Sequence, residues 1–465
     1  MLRLKQEILQ YITLVHKQCD FLFVIFIISA AQSRSTLESR LEALQCHFTW
    51  DLGPSRSKLF HLRENLEDIG TEEGYSWLGH IFNLQGYTHF QLGFTSVARC
   101  FFSKAAEAFR QIRNTVSEDG PWLMVNYGNL AWLHHQLGEE ADSQAYLSKV
   151  DALMNEYPPP SQDELHPEIY AEKAWTLMKF SRDQKLLATD YFQRAIRMQP
   201  DMVDWQTSHV FALVSSFKHH KTMLGTDITE KMKIAKDHDP DNLYLAALYL
   251  EACAKKGKNI EKEARLLARR VLTKPVSSYS GLKPLLKLFR IYVSMDEATD
   301  LAEEAVERHP HERYLKRCAA TCYKMRIFLQ KDNPLEHSMI ERAVSLHKEV
   351  ISLYPHSSLK SKISLANIFS QTNYSQAAAA QMYEELLESD LDPDEAQMLY
   401  NYYAKYLQFS QKDSYRSIEY HMRAAAIPQQ SYYHEDSVRI LERIRERNKN
   451  RMCGAIEEFL KNLHH

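Results

Sequence analysis

The chain of 465 residues is poor in glycine, with 13, and holds only 15 prolines. Parallel sheets and β-sandwiches take more turn glycine than this. Scarce glycine beside abundant Ala, Leu, Glu and Lys points to an all-α protein. Seven cysteines, Cys19, Cys46, Cys100, Cys253, Cys318, Cys322 and Cys453, are scattered and odd in number. That excludes a disulfide framework of the secreted kind. Cys318 and Cys322 stand four apart, but no further ligands follow at metal-site spacing, so buried free thiols are expected and neither a metal nor a cofactor. Catalytic signatures are missing too: no G-x-x-x-x-G-K-[ST], H-E-x-x-H, G-x-S-x-G or G-x-G-x-x-G occurs. His134-His135 and His219-His220 are neighbours in sequence, point to different helix faces and make poor metal clamps. A non-enzyme is expected. The net charge of -3 argues against wholesale coating of nucleic acid but leaves room for a local basic pocket.

The apolar run FLFVIFIISAA (21–31) falls short of the roughly 20 residues of a membrane span. It has the length of a signal h-region, with Ser29-Ala30-Ala31 as a cleavage site. Against secretion, a long segment precedes the run, Asp20 abuts it, and Asn373-Tyr374-Ser375 is the only N-glycosylation sequon. We expect residues 1–33 to be an atypical extension on a cytoplasmic body, with no membrane partner.

A repeat runs through that body. Ala188, Phe192, Ala195 and Pro200 stand four, three and five apart. Ala298, Ala302, Ala305, Pro310 and Ala343, His347, Val350, Pro355 repeat the spacing, and Ala264, Ala268, Val271, Pro275 give a weaker copy. Another copy ends at Ala235 and Pro240, and Ser417, His421, Ala424 and Pro428 close the series one residue short. Small residues four and seven apart let a neighbouring helix approach, and the proline ends the helix. This is the second helix of a tetratricopeptide repeat, and the expected fold is a tetratricopeptide-repeat α-solenoid. Three stretches, NEYPPPSQDELHP (155–167), HHKTMLGTDITE (219–230) and FLQKDNPLEHS (328–338), read as connections between helical blocks. The expected divisions are 34–154, 155–335 with a basic pocket, and 336–465.

Charge is unevenly placed. Residues 254–290 hold eleven cations against two acids, Glu261 and Glu263. Within GLKPLLKLFR (281–290), Lys283, Lys287 and Arg290 form a stripe beside an apolar face of Leu282, Leu285, Leu286, Phe289 and Val293. Pro284 belongs in the first turn of that helix. Lys283 stands near the positive end of the helix dipole, so the helix does not need its charge. Residues 313–326 add Arg313, Lys316, Arg317, Lys324 and Arg326 with no acid, and Arg443 and Arg447 belong to a cluster near the end. Two successive first helices with cationic stripes would make a basic wall. The alternative is pairing of the stripe with Asp296, Glu297, Asp300, Glu303, Glu304 and Glu307 of the next helix, as surface ion pairs worth ~0–1 kcal/mol each.

Cys46-His47-Phe48-Thr49-Trp50, Tyr127 to Trp132 (YGNLAW), Glu168 to Phe180 (EIYAEKAWTLMKF), Cys322-Tyr323-Lys324 and Leu365-Ala366-Asn367 follow one another in order. Together they resemble the interferon-induced proteins with tetratricopeptide repeats, of the fish type, over about residues 36–452. The resemblance implies a helical clamp around a basic central tunnel. It implies a cytoplasmic antiviral effector of innate immunity that binds the 5′ end of single-stranded RNA, with triphosphate or an incompletely methylated cap, and sequesters it without catalysis. Other family members or signalling proteins would be further partners. Lys179, Lys283, Arg290 and Arg317 then fall on phosphate-binding positions. Tyr279, Asn65, Lys287, Lys316, Lys324, Arg443 and Arg447 are further RNA-binding candidates. Lys283 stands where the family has an arginine, so a fork becomes a point charge. A further phosphate-contacting arginine falls near Ser215, with His209 and Lys218 close by. The family's last repeat would lie beyond His465, which shortens the C-terminal subdomain. The rival reading is a tetratricopeptide scaffold for protein partners in antiviral signalling. A chaperone-tail clamp, however, would want Lys-x-x-x-Asn where the chain has Lys283-x-x-x-Lys287.

Overall fold

The computed structural model describes residues 36–70, 76–112, 119–216, 226–329, 336–372 and 375–463. The extension at 1–33 with its apolar run, Lys218, residues 219–225 and 330–335, and Asn373 of the sequon lie outside them. Among the described residues there is no strand, and none of their helices is long and apolar enough to cross a membrane. Successive helices pack as hairpins, for example Leu78–Gln91 on Thr95–Ile112 and Met124–Gln136 on Glu140–Glu156.

The repeat positions are where the helices meet. Ala188, Phe192 and Ala195 are fully buried, as are Ala298 and Ala343, and Ala264, Ala302 and Ala424 are nearly so or entirely so. The helices end at Met198, His238, Thr273, Arg308, Leu353 and Ala426, each two residues before one of the repeat prolines. A proline cannot extend the helix and biases its predecessor toward extended backbone, so the terminus falls just short of it.

One stretch departs from expectation. The second half of 219–230 is helical, because the helix Thr226–His238 starts there. Its polar residues read as a loop, but Asp227 suits the positive end of the helix and pairs with Lys231 at 3.0 Å, while Met232 is buried.

The described chain forms two compact units. The first holds residues up to Leu52, Ser76–Leu177 and Arg197–Gln199; the second holds Gly53–Tyr75, Met178–Ile196 and Pro200 onward. The Cys46-His47-Phe48-Thr49-Trp50 segment lies in the first, and its residues are packing groups. Cys46 is fully buried, and burial pushes its thiol up to about 12, which leaves it unreactive. The His47 backbone N–H donates to Asn129 Oδ1 at 3.0 Å, Asn129 Nδ2 lies 3.0 Å from His47 Nδ1, and Nε2 meets Thr176 Oγ1 at 3.1 Å. Thr49 Oγ1 donates to the Leu44 carbonyl at 2.6 Å, and Phe48 stacks on Trp132 at 6.1 Å. Gly128 lets this segment pack closely, since a Cβ there would lie 3.0 Å from the Cys46 Cβ and push it back. The segment ties the chain's first described residues to two later helices.

In the second unit, the loop 274–281 is pinned before the cationic helix begins. Ser277 Oγ donates to the Ile69 carbonyl at 2.6 Å and Ser278 N to the Asp68 carbonyl at 2.8 Å. Gly281 then turns the chain at φ 93°, and a Cβ on it would lie 2.8 Å from the Leu243 carbonyl carbon. Only glycine fits both demands. The helix Leu282–Leu288 follows, with Pro284 in its first turn and Leu282, Leu285, Leu286 and Leu288 buried. It runs into a π-helical turn, Phe289–Val293. The wider turn rotates the side chains after Phe289 away from α-helical register, and Arg290 sits in it.

Candidate functional site

The second unit encloses a cavity of about 1020 Å³. Its wall comes from helices far apart in sequence. Arg56–Glu67 contributes His61 and Asn65; Leu243–Lys255 contributes Tyr244, Glu251 and Lys255, with Lys256 just beyond. The short cationic helix and its π-turn contribute Lys283, Lys287 and Arg290. Arg313–Leu329 contributes Arg317 and Lys324, and Leu359–Gln371 contributes Lys360 and Ser364. Lys179, Lys185 and Tyr279 complete the charged and phenolic lining. Ten lysine and arginine side chains thus face one carboxylate, Glu251.

Burial costs a charged group heavily unless something pairs with it. The cavity answers this differently at different places. Glu251 takes Lys287 Nζ at 2.5 Å and Lys255 Nζ at 2.9 Å. Burial raises its pKa, but the two lysines outweigh that, and it titrates below the ordinary carboxylate value. Arg317 Nη2 meets Asp68 Oδ2 at 2.6 Å, and its guanidinium lies 4.7 Å from the Tyr354 ring centre. Asp68 also takes Arg313 Nε and the Tyr354 hydroxyl, each at 2.9 Å. Its side chain is 1% exposed, and each of its oxygens is bonded. Asp68→Ala would take the carboxylate from Arg317 and one of two from Arg313, which keeps Glu67 at 2.9 Å; both arginines are about three-quarters buried. We expect a loss of ~3 kcal/mol in a denaturant titration, the lower end for a broken buried pair because water still reaches both arginines. A change below ~0.5 kcal/mol would refute the lock.

Lys179 is half-buried in the cavity wall. Its amine donates to the Tyr279 hydroxyl at 2.5 Å. Desolvation holds its pKa down at about 7, and burial raises that of Tyr279. Lys324 is lowered to about 8, first by desolvation and then by the charges of Lys360 and Arg290. Among the described residues Arg290 reaches only a sulfur, its Nη1 donating to Cys322 Sγ at 3.6 Å.

The cavity therefore brings together Lys179, Tyr279, Lys283, Lys287, Arg290, Arg317, Lys324 and Asn65. Ser215 also lines it. Lys316, Arg443 and Arg447 do not: Lys316 pairs with Glu349 at 2.7 Å, and Arg443 and Arg447 are exposed on the helix Tyr432–Arg447. Lys316 shares its helix with Arg317, but one position along a helix turns a side chain by about 100°. The alternative pairing of the stripe with the next helix fails for four of its acids. Asp296 pairs with Arg326, Glu297 with Arg265, Glu303 with Arg342 and Glu304 with Arg308. Sequence reasoning passed over Lys185, Lys255, Lys256 and Lys360 as site residues. Only the net positive stretch after residue 254 signalled two of them. In the first unit His134, Glu139 and Asp142 approach within 4.8 Å, but Arg99 holds both Glu139 oxygens at 2.8 Å, which makes this an ion-pair cluster.

An α-solenoid of tetratricopeptide type with a cation-walled cavity and few carboxylates is a binding protein for an anionic ligand. Its homologues are the interferon-induced proteins with tetratricopeptide repeats, the family that its sequence resembles. The human interferon-induced protein with tetratricopeptide repeats 2 is 25% identical over 299 residues, 64% of this chain and 62% of that protein. The human antiviral innate immune response effector IFIT1 is 21% identical over 444 residues, 91% of this chain and 90% of that protein. No protein-family profile matches the chain. Among solved structures, a human IFIT1 dimer with PPP-AAAA superposes with a TM-score of 0.65 at 21% identity, over 92% of this chain and 96% of that one. A human IFIT1 dimer with m7Gppp-AAAA gives 0.68 at 20% identity, over the same shares.

Proposed function

We infer that this protein binds the 5′ end of single-stranded RNA, as triphosphate or incompletely methylated cap, in the cavity of its second unit. It acts as a cytoplasmic antiviral effector of innate immunity by sequestering that RNA, without catalysis. The observation that carries this reading is the excess of charge: ten cations around one carboxylate in an enclosed space. A 5′-triphosphate brings roughly three to four negative charges, and partly buried Lys and Arg make charge-assisted hydrogen bonds to its oxygens. Lys179, Lys283, Arg290 and Arg317 hold the terminal phosphates. Asn65, Tyr279, Lys287 and Lys324 line the path of the following nucleotides, whose backbone contacts are independent of sequence. Relatives that are named as antiviral effectors, and solved with PPP-AAAA and m7Gppp-AAAA, support the same reading. Other family members and signalling proteins are further partners.

Fluorescence anisotropy with one RNA sequence carrying either a 5′-triphosphate or a 5′-hydroxyl tests it. The wild-type protein should prefer the triphosphate by about a hundredfold, with affinity falling as salt rises. Equal binding of both ends would sink the proposal and leave a scaffold for protein partners.

A further inference from the structure

One corner of the cavity has cations and no acid. The Lys360 amine has neither a hydrogen-bond nor an ion-pair partner among the described residues; only its backbone carbonyl is engaged, by Ser364 Oγ at 2.7 Å. Lys324 makes one weak contact, Nζ to Ser364 Oγ at 3.4 Å. The groups that face this pair are themselves basic. Arg290 and Lys360 act on Lys324, and Arg317 acts on Lys360, each lowering its pKa after desolvation. His61 is held down at about 4 by burial and by the charges of Arg317, Lys360 and Lys283, so it is neutral near pH 7. His347, on the next helix, is likewise lowered to about 4 by burial, with its Nδ1 on the Ala343 carbonyl at 2.7 Å.

Elsewhere in the cavity the protein supplies the counter-charge: Glu251 for Lys255 and Lys287, Asp68 for Arg317. Here it supplies none. Lys360 stands in the first turn of Leu359–Gln371, where the helix dipole disfavours a cation, so its own helix gains nothing from it. Like charges held together without a carboxylate are unfavourable until an anion arrives.

We propose that Lys324, Lys360 and Ser364 form a second phosphate subsite, occupied by a backbone phosphodiester of the bound strand and distinct from the site of the terminal phosphates. This rests on the RNA reading above. Helix geometry separates the two: Arg317 and Lys324 stand seven residues apart on one helix, or about 10 Å of axial rise, which is too far for one phosphate group to bridge. A phosphate at Lys324 and Lys360 is therefore a different group from the one at Arg317, and a nucleoside triphosphate, which has no phosphodiester, separates a later position of the strand from another group of the triphosphate. Ser364 Oγ donates to the Lys360 carbonyl at 2.7 Å and accepts weakly from Lys324, so it gives up only an acceptor contact when the amine turns to the phosphate, and can donate there itself by rotating off that carbonyl.

The test compares K360Q with wild type on a nucleoside triphosphate and on a triphosphate tetranucleotide. K360Q should bind the tetranucleotide about tenfold more weakly and keep its affinity for the nucleoside triphosphate. Its salt slope on the tetranucleotide should fall by about 0.7, one phosphate contact on a single strand. K360R, which keeps the charge, should restore most of the affinity and the slope. Bound nucleoside triphosphate also reports that K360Q is folded. Equal loss on both ligands, or no loss on the tetranucleotide, overturns the subsite. If K360Q weakens hydroxyl-ended and triphosphate-ended tetranucleotides alike while wild type shows no end preference, the subsite stands and the end-binding function falls.

Discussion

Lys179→Ala should lower the affinity for triphosphate-ended RNA by about a hundredfold and leave hydroxyl-ended RNA within about threefold. The argument is one of solvation. The Lys179 side chain is half-buried and its amine oriented by the Tyr279 hydroxyl at 2.5 Å, so it is positioned before ligand arrives. A charge-assisted hydrogen bond contributes about 1.5–3 kcal/mol, and enclosure strengthens the attraction beyond its value in water. Hydroxyl-ended RNA has no group to claim that energy. Arg290→Glu should go further, because it replaces an attraction with a repulsion in the same enclosed space. Among the described residues the Arg290 guanidinium meets a thiol, Cys322 Sγ, and no carboxylate, so its loss strands no acid. Anisotropy titrations with both RNAs decide the matter. A loss shared equally between the two ends would show that Lys179 supports the fold rather than the terminal phosphates.

Affinity for triphosphate RNA should fall steeply as pH rises above neutrality. In the empty cavity Lys179 titrates at about 7 and Lys324 at about 8, both lowered first by desolvation. A bound anion favours the charged amines and raises both values, so the complex holds more protons than the free protein. By linkage, affinity then decreases with pH across the interval between free and bound values, by up to about tenfold per unit for each group. Below about pH 6 the terminal phosphate loses its own second charge, and affinity declines again. The optimum falls between about 6 and 7. Titrations at pH 6.5 and 8.5 should differ by at least about tenfold, and Lys179→Ala should flatten the profile. Affinity that is constant or rises over this window would contradict the argument. The same lysine has the opposite effect on the empty protein. Its folded pKa lies below its unfolded value, so the unfolded chain binds more protons, and stability from this group rises with pH from about 7 toward 10.

The fold was legible because its rule is local. Alanines four and seven apart with a following proline dictate where helices touch and where they stop, and the six helix ends obey it. The stripe of Lys283, Lys287 and Arg290 was legible for the same reason, being set by helical period alone. What could not be read were the partners. Glu251 meets Lys287 from 36 residues away, and Asp68 meets Arg313 from 245 residues away. No local pattern specifies such pairs. Arg313 illustrates the cost. It stands in the same cationic stretch as Arg317 and Lys324, yet Asp68 and Glu67 hold it, and it is absent from the cavity lining. The π-turn at Phe289–Val293 was equally hidden, since an extra residue per turn leaves the apolar pattern nearly unchanged. Lys360 gave no signal at all, standing with Lys362 in a polar serine-rich stretch.

The segment Cys46 to Trp50 carries much of the family likeness, and every contact described for it is internal packing in the unit that does not line the cavity. Recognition of kin and recognition of ligand are therefore written in separate parts of this chain. A few lysines in the cavity could drift to other residues while the signature persisted intact. A lineage built on this architecture can change its target, or lose it, and still be found by its signature. Ancestry will then be easier to establish than specificity, which has to be read afresh from the wall of each cavity.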